Sequence, residues 1–343
     1  MKYIAKSDLN LFLAAAAKAM KVYVPVDNTS GKADYKLWSE GTVVSNALHT
    51  TRSAKDFFFP QTENLVEFKI DHKKIDIIDP REERENFAIF GVRACDVRSF
   101  DILDRVFLSE PVDTYYKNRR EHSLIISMSC DHPHETCFCS AFGIDSSEPA
   151  GDVVFTTAAE GYYVSAKTER GEKFLSDIGY AFEEKDESGA EEAKAKTKDI
   201  MARLPLAKLE TSAFGAGKTK EFFNRPEWSE LSEACLGCGT CTFVCPTCQC
   251  YDIRDFKTNT GVRRFRCWDS CMYSDFTKMS AGQPRPTQLE RFRQRFMHKL
   301  VYFPDNNDGE YSCVGCGRCL QKCPIHMNIV KVIKTMGGGD DAK

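Results

Sequence analysis

Two stretches of this sequence carry thiols at a spacing that can do chemistry. Cys235-Leu-Gly-Cys238-Gly-Thr-Cys241-Thr-Phe-Val-Cys245-Pro246 is answered later in the chain by Cys313-Val-Gly-Cys316-Gly-Arg-Cys319-Leu-Gln-Lys-Cys323-Pro324. Each reads C-x2-C-x2-C-x3-C-P. In such a run three thiolates wrap one face of an iron–sulfur cube, and the fourth, carried past a three-residue step and fixed by proline, ligates a second cube. Two copies therefore predict two [4Fe–4S] clusters with crossed ligation. Cys235, Cys238, Cys241 and Cys323 would hold one, and Cys313, Cys316, Cys319 and Cys245 the other. A lone run could be a zinc site or a set of buried thiols. Two complete runs, both closed by Cys-Pro, argue against that.

The rest of the composition is consistent with such a site. The 343 residues allow about two domains, and 42% apolar with 28% charged residues is ordinary for a soluble protein with real cores. A net charge of −3 gives no basic field for nucleic acid and no polybasic patch for an anionic membrane. Sixteen cysteines would mean disulfides in a short secreted chain. At metal-ligand spacing in a longer one they point to a reducing cytoplasm. Leu9 to Ala17, preceded by Lys2 and Lys6, imitates a signal-peptide core. Asp8 and Asn10 interrupt it, however, and Ser7 can cap an amphipathic helix through Met20. No stretch has the apolar length needed to span a bilayer, so no membrane insertion is expected.

The thiols must be positioned by the elements around them. Residues 1 to about 80 read as a helix, then short strands and turns, with Phe57-Phe-Phe-Pro60 as core or subunit contact. Asn86 to Phe90 is a short apolar strand running into Gly91-Val-Arg-Ala-Cys95-Asp96, followed by helical spacing from Val97 to Leu108. Ser123 to Met128 is a second buried strand, ending at Ser129-Cys130. Strand, loop, helix, strand is the grammar of a mixed or parallel α/β sheet, whose sites gather beyond the strand carboxyl ends. Val153 to Thr157 and Gly161 to Ser165 alternate as further strands. Glu183 to Lys198 is charge-rich, a solvated helix or mobile segment near a domain boundary. Phe214-Gly-Ala-Gly-Lys-Thr219 imitates a phosphate-binding loop but has Ser212 where a glycine is needed and no strand leading in. The expected architecture is α+β: a mixed α/β domain over 1–224, then an all-helical ferredoxin-like domain over 225–343. The basic stretch from Leu289 to Leu300 is a helix between the two runs, and the tail from Gly337 is loose.

Eight cysteines remain. Cys95 and Cys130 each follow a strand. If those strands are neighbours, both thiols emerge at one sheet edge, and the loop after Cys130 folds Cys137 and Cys139 back over them. Such a quartet could hold a third [4Fe–4S] cluster, a zinc ion or no metal. His132 and His134 lie in the same loop, where histidines are usually surface groups. Cys248, Cys250, Cys267 and Cys271 form a weaker candidate site, either for metal or as small apolar shielding. Cys267 and Cys271 would share a face if that segment were helical.

No G-x-G-x-x-G follows a strand, so no flavin or nucleotide of its own is expected. No nucleophile elbow, H-E-x-x-H or carboxylate pair stands out either. Arg263, Arg264, Arg266, Arg285, Arg291, Arg293 and Arg295 lie between the runs. They could counter the charge of thiolate-bound clusters, meet an acidic partner or form a solvated face. Trp268, Phe265 and Phe292 read as packing.

Gly91-Val-Arg-Ala-Cys-Asp96, Cys137-Phe-Cys139, Cys245-Pro-Thr-Cys-Gln-Cys250, Trp268-Asp-Ser-Cys271 and Cys313-Val-Gly-Cys-Gly-Arg-Cys319 together resemble the sulfhydrogenase beta-subunit family, which includes the corresponding iron–sulfur component of anaerobic sulfite reductase. The resemblance runs in order from about residue 85 to 330. It implies an electron relay in an anaerobic complex, linking a flavin- and NAD(P)-binding diaphorase-type subunit to a catalytic one. That catalytic subunit would be of hydrogenase, sulfite reductase or heterodisulfide reductase type. The family pattern also retains Cys95, Cys130, Cys137 and Cys139, while Cys267 fits it less well. A second reading makes the chain a reductase in its own right, acting on sulfite or a disulfide beside a cluster. Nucleic-acid binding is not expected at this charge.

Overall fold

The computed structural model describes residues 1–82 and 85–338, so most of the tail expected to be loose, from Gly339 on, lies outside the described residues. In chain order the strands are β1 (Lys2–Ala5), β2 (Lys21–Asp27), β3 (Ala33–Leu37), β4 (Thr62–Asp71), β5 (Lys74–Ile78) and β6 (Phe87–Arg93). They continue with β7 (Ser123–Met128), β8 (Val153–Thr157), β9 (Gly161–Ala166), β10 (Glu183–Glu184), β11 (Tyr251–Thr258) and β12 (Gly261–Trp268). One sheet runs β10-β1-β9-β8-β7-β6-β2-β3, the other β11-β12-β4-β5. In the first, β2, β6, β7 and β8 are mutually parallel and the flanking pairs antiparallel.

The parallel strands are apolar on both faces because helices cover both. Ala88, Phe90, Leu124, Ile126, Val153 and Phe155 pack with α1 (Leu9–Ala17) through Phe12 and Leu13. The alternate residues Ile89, Val92 and Ile125 face the other way. They meet Val97, Phe100, Leu103 and Phe107 of α2 (Ala94–Phe107), Tyr116 of α3 (Thr114–Glu121), and the buried Phe58 and Phe59. The Phe57–Pro60 loop is therefore core. Helix α1 begins at Leu9, and the Ser7 hydroxyl bonds Asp8 rather than capping the helix backbone. The charge-rich segment resolves into α4 (Ser188–Ala202), with Ala190, Thr197 and Met201 buried.

The C-terminal part is not all-helical. Residues 251–268 form a hairpin, β11 and β12, in eight-residue register from Tyr251↔Trp268 to Thr258↔Gly261. Only Tyr251, Asp252, Ile253 and Arg254 alternate with the period of a strand, and on β12 the register slips between Arg264 and Phe265, so that Val262 and Phe265 stand three apart. The hairpin joins β4 and β5 through β12, so one sheet crosses the expected boundary at 224/225. Around it the expected helices do form. Gln288–Met297 carries a Thr287/Glu290 capping box. Ile329–Gly337 buries Val332, Ile333 and Met336 in a core with Trp228, Phe292 and Phe296.

Of the arginines between the runs, Arg263, Arg264 and Arg266 lie on β12 and pair with Glu67, Asp255 and Glu63. The last pair is buried. Glu63 of β4 receives Arg266 Nε at 2.5 Å and also Arg119 of α3, while Arg266 reaches Asp113, the residue that caps α3. Replacing Glu63 by Ala strips this buried guanidinium of one of its two anions. The expected loss is about 3 kcal/mol of unfolding free energy, the low end for breaking a buried pair because Asp113 remains. Denaturant unfolding of the variant beside wild type measures it.

Candidate metal centre

The two cysteine runs fold alike. Gly237 and Gly239 in the first (φ 66° and 71°), and Gly315 and Gly317 in the second (58° and 77°), take the left-handed backbone. Each run then enters a short helix, Thr240–Phe243 or Arg318–Lys322, and these two helices pack on each other. In the second run glycine is also required by space. A Cβ on Gly315 would lie 2.4 Å from Phe138 O, and one on Gly317 2.5 Å from Thr136 O. Cys245, from the first run, is an electrostatic neighbour of Cys313, Cys316 and Cys319 of the second. Cys241 has Cys235, Cys245 and Cys238 around it. Cys235, Cys319 and Cys323 pack against one apolar cluster, and Cys323 Sγ bonds Met327 O at 3.3 Å. Burial pushes the Cys313 thiol up to about 12 and also raises Cys241, Cys316 and Cys319. Such thiols need a strong cation to draw out their thiolates.

The N-terminal quartet comes together at the end of the parallel strands. β6 and β7 are neighbours, with Arg93 opposite Met128. Cys95 in the first turn of α2 and Cys130 just past β7 thus emerge at the same end. The following loop returns with Cys137 N–H bonded to His134 O and Phe138 N–H bonded to Gly315 O at 2.8 Å, which seats Cys137 and Cys139 against the second run. All four thiols are buried. Cys139 has Cys130, Cys137 and Cys316 as electrostatic neighbours, and Cys95 has Cys316 and Cys139. Burial pushes Cys137 up to about 12. Behind them Arg318 grips Asp96 through two bonds of 2.6 and 2.7 Å. His132 and His134 turn instead to Asp131, the Asn46 carbonyl and Thr136 at the surface. His49, which no sequence pattern announced, has its Nε2 3.7 Å from Cys95 Sγ.

The last four cysteines separate. Cys267 is in β12 and Cys271 in the turn beyond it, so no helical face joins that pair: the segment up to Trp268 is a strand paired with β11. Cys267 faces Arg254 and Asp252. The free Cys271 thiol donates a hydrogen bond to Cys250, holding that thiol down at about 7, and the Cys248 thiol donates one to Cys245. The structure therefore brings Cys248, Cys250 and Cys271 together beside Cys245 and leaves Cys267 apart.

Three buried cations surround the same place. Lys55, Arg295 and Lys299 are 1%, 2% and 3% exposed, and none forms a salt bridge among the described residues. Asp56, next to Lys55, pairs instead with Arg52 at 3.0 Å. Lys55 Nζ donates to the carbonyls of Cys245 and Cys248 at 3.1 and 3.0 Å, beneath the Trp268 ring. Lys299 Nζ donates to Thr247 Oγ1 at 2.7 Å and Ser312 O at 3.0 Å. Arg295 reaches only Cys241 O, at 3.4 Å, and leaves Nε and Nη1 without a partner among the described residues. Burial works against the charge of Lys299, and the neighbouring Cys245 and Cys248 more than offset it, so its pKa is raised. A buried ion without a counter-ion costs several kcal/mol, so these residues fit an anionic group held by thiolates. Among the described residues no three His, Cys, Asp or Glu side chains crowd on one point as a single metal ion requires. A cube instead takes one thiolate at each of four separated irons.

A family model described as a 4Fe-4S dicluster domain matches residues 234–327. Over 335 residues the chain is 32% identical to sulfhydrogenase 2 subunit beta of Pyrococcus furiosus, covering 93% of each chain. No solved structure matches. No helix among the described residues is long and apolar enough to cross a membrane. The chain belongs to the sulfhydrogenase beta-subunit family and is an iron–sulfur electron-transfer protein with at least two [4Fe–4S] clusters.

Proposed function

We propose that this chain is the relay subunit of a cytoplasmic oxidoreductase complex. Electrons would pass between a flavin- and NAD(P)-binding diaphorase-type partner and a catalytic one. The relative's name favours a hydrogenase-type catalytic partner. Cys235, Cys238, Cys241 and Cys323 hold one cube, and Cys313, Cys316, Cys319 and Cys245 the other. Cys95, Cys130, Cys137 and Cys139 hold a third, carried by residues 1–224 against the pair in 225–343. The observation that carries this reading is the convergence of twelve cysteines on adjoining parts of one body, with three buried cations that form no salt bridge among the described residues. Flavin and nucleotide chemistry would come from a partner, since no glycine-rich nucleotide loop follows any strand.

Bound cubes supply one-electron storage without breaking bonds. The chain holds them and sets their potentials through hydrogen bonds to sulfur, charge and burial. One donor is already in place, Gln288 Nε2, 3.4 Å from Cys235 Sγ. Two hydroxyls also lie beside sulfur, Thr240 Oγ1 3.4 Å from Cys238 Sγ and Thr247 Oγ1 3.2 Å from Cys245 Sγ.

Anaerobic reconstitution followed by iron and sulfide analysis tests the count, since each cube carries four irons. The expected value is about twelve irons per chain, and fewer than about eight would defeat even the two-cube core. Cys95→Ser or Cys137→Ser should remove about four irons and one paramagnetic resonance signal while sparing the two ferredoxin-type signals. Unchanged iron in both variants would make the quartet structural. Anaerobic purification from the native source should recover two partners with this chain, one containing flavin and one catalytic. Recovery of the chain alone, active by itself on sulfite or a disulfide with an artificial donor, would replace the relay with a reductase.

A further inference from the structure

We propose that Lys55, Arg295 and Lys299 are counter-charges that set how readily the two ferredoxin-type cubes accept electrons, with Lys299 acting on one cube and Arg295 on both. The inference rests on the two-cube reading above. Arg295 and Lys299 stand four residues apart on one segment, so they share a face. That segment passes from α pitch to a π-helical turn at His298–Tyr302, and Lys299 is buried within the turn. Turns of that kind are rare and gather at functional sites.

The positions divide the work. Lys299 bonds Thr247, two residues past Cys245, and the carbonyl of Ser312, next to Cys313. Both cysteines belong to the same proposed ligand set. Lys55 bonds the Cys245 carbonyl on the same side. Arg295 instead bonds the Cys241 carbonyl, and its foremost charged neighbours are Cys241 and Cys319, one from each set. Taking up one electron adds one negative charge to a cube, with no bond broken and no proton moved. A fixed cation in a low-dielectric interior favours that reduced form over the oxidised one. The guanidinium cannot deprotonate, so the contribution of Arg295 is the same at every working pH.

The test uses the full chain, reconstituted anaerobically with iron and sulfide. It is titrated with dithionite, followed by paramagnetic resonance, and iron is counted in each sample. Lys299→Met should make one ferredoxin-type cluster at least tenfold harder to reduce, which is 59 mV for a one-electron couple. Arg295→Met should do so to both, and Arg295→Lys should restore them. Retained iron with no such shift in either Met variant overturns the proposal. Iron lost in Arg295→Met but kept in Arg295→Lys supports it, because charge is what differs. Iron lost in both assigns the side chain to packing and overturns it. A wild-type chain that takes up fewer than about eight irons instead defeats the two-cube reading itself.

Discussion

Arg318 and Asp96 meet in a fork of two hydrogen bonds, both side chains almost wholly buried, although they lie 222 residues apart in sequence. Asp96 follows Cys95 in the first turn of α2, and Arg318 sits between Cys316 and Cys319. The pair therefore locks the quartet's loop to the second cysteine run, and Arg318 Nε adds a bond to the Thr50 carbonyl. A buried ion pair is a poor source of net stability, because desolvation offsets much of the attraction. Its directionality is another matter. The planar guanidinium accepts one orientation of the carboxylate, so the two groups of thiols are held in one relation to each other.

Much of the centre was legible in the sequence because its information is local. The spacing of the cysteines in Cys235–Cys245 and in Cys313–Cys323 is complete within a dozen residues, and the apolar strands before Cys95 and Cys130 announce where those thiols emerge. The shared sheet was not read: alternation holds only from Tyr251 to Arg254, and the slip between Arg264 and Phe265 spaces Val262 and Phe265 as a helix would. The helical stretch from Leu289 to Leu300 between the two runs suggested that the whole domain was helical. Its pairing with β4 was beyond local pattern, since no periodicity says which distant strand will lie alongside. The separation of Cys267 from Cys271 follows from the same error. Four residues span one helical turn but carry a strand's end well away from the turn after it.

Lys55 and His49 were unreadable for a different reason. A lysine in Ser53-Ala-Lys-Asp looks like any surface lysine. It becomes significant only because the fold buries it against carbonyls 190 and 193 residues later. Arg295 was one of seven candidate cations in the sequence. The structure pairs three of the others with carboxylates on β4 and β11 and leaves Arg295 facing thiols. Which basic residue matters is thus decided by what the fold denies it, namely an acidic partner.

The resemblance of the two runs in backbone bears on the order of events during synthesis. Under crossed ligation, a nascent chain that has passed Cys241 but not reached Cys323 carries three of the four thiolates for its first cube, and its fourth cysteine, Cys245, waits for a run not yet made. The glycines of that second run close against Phe138 and Thr136, so the run takes its place only where it meets the loop that carries Cys137 and Cys139. Under crossed ligation, closing that contact and completing both cubes wait on the same late-made residues.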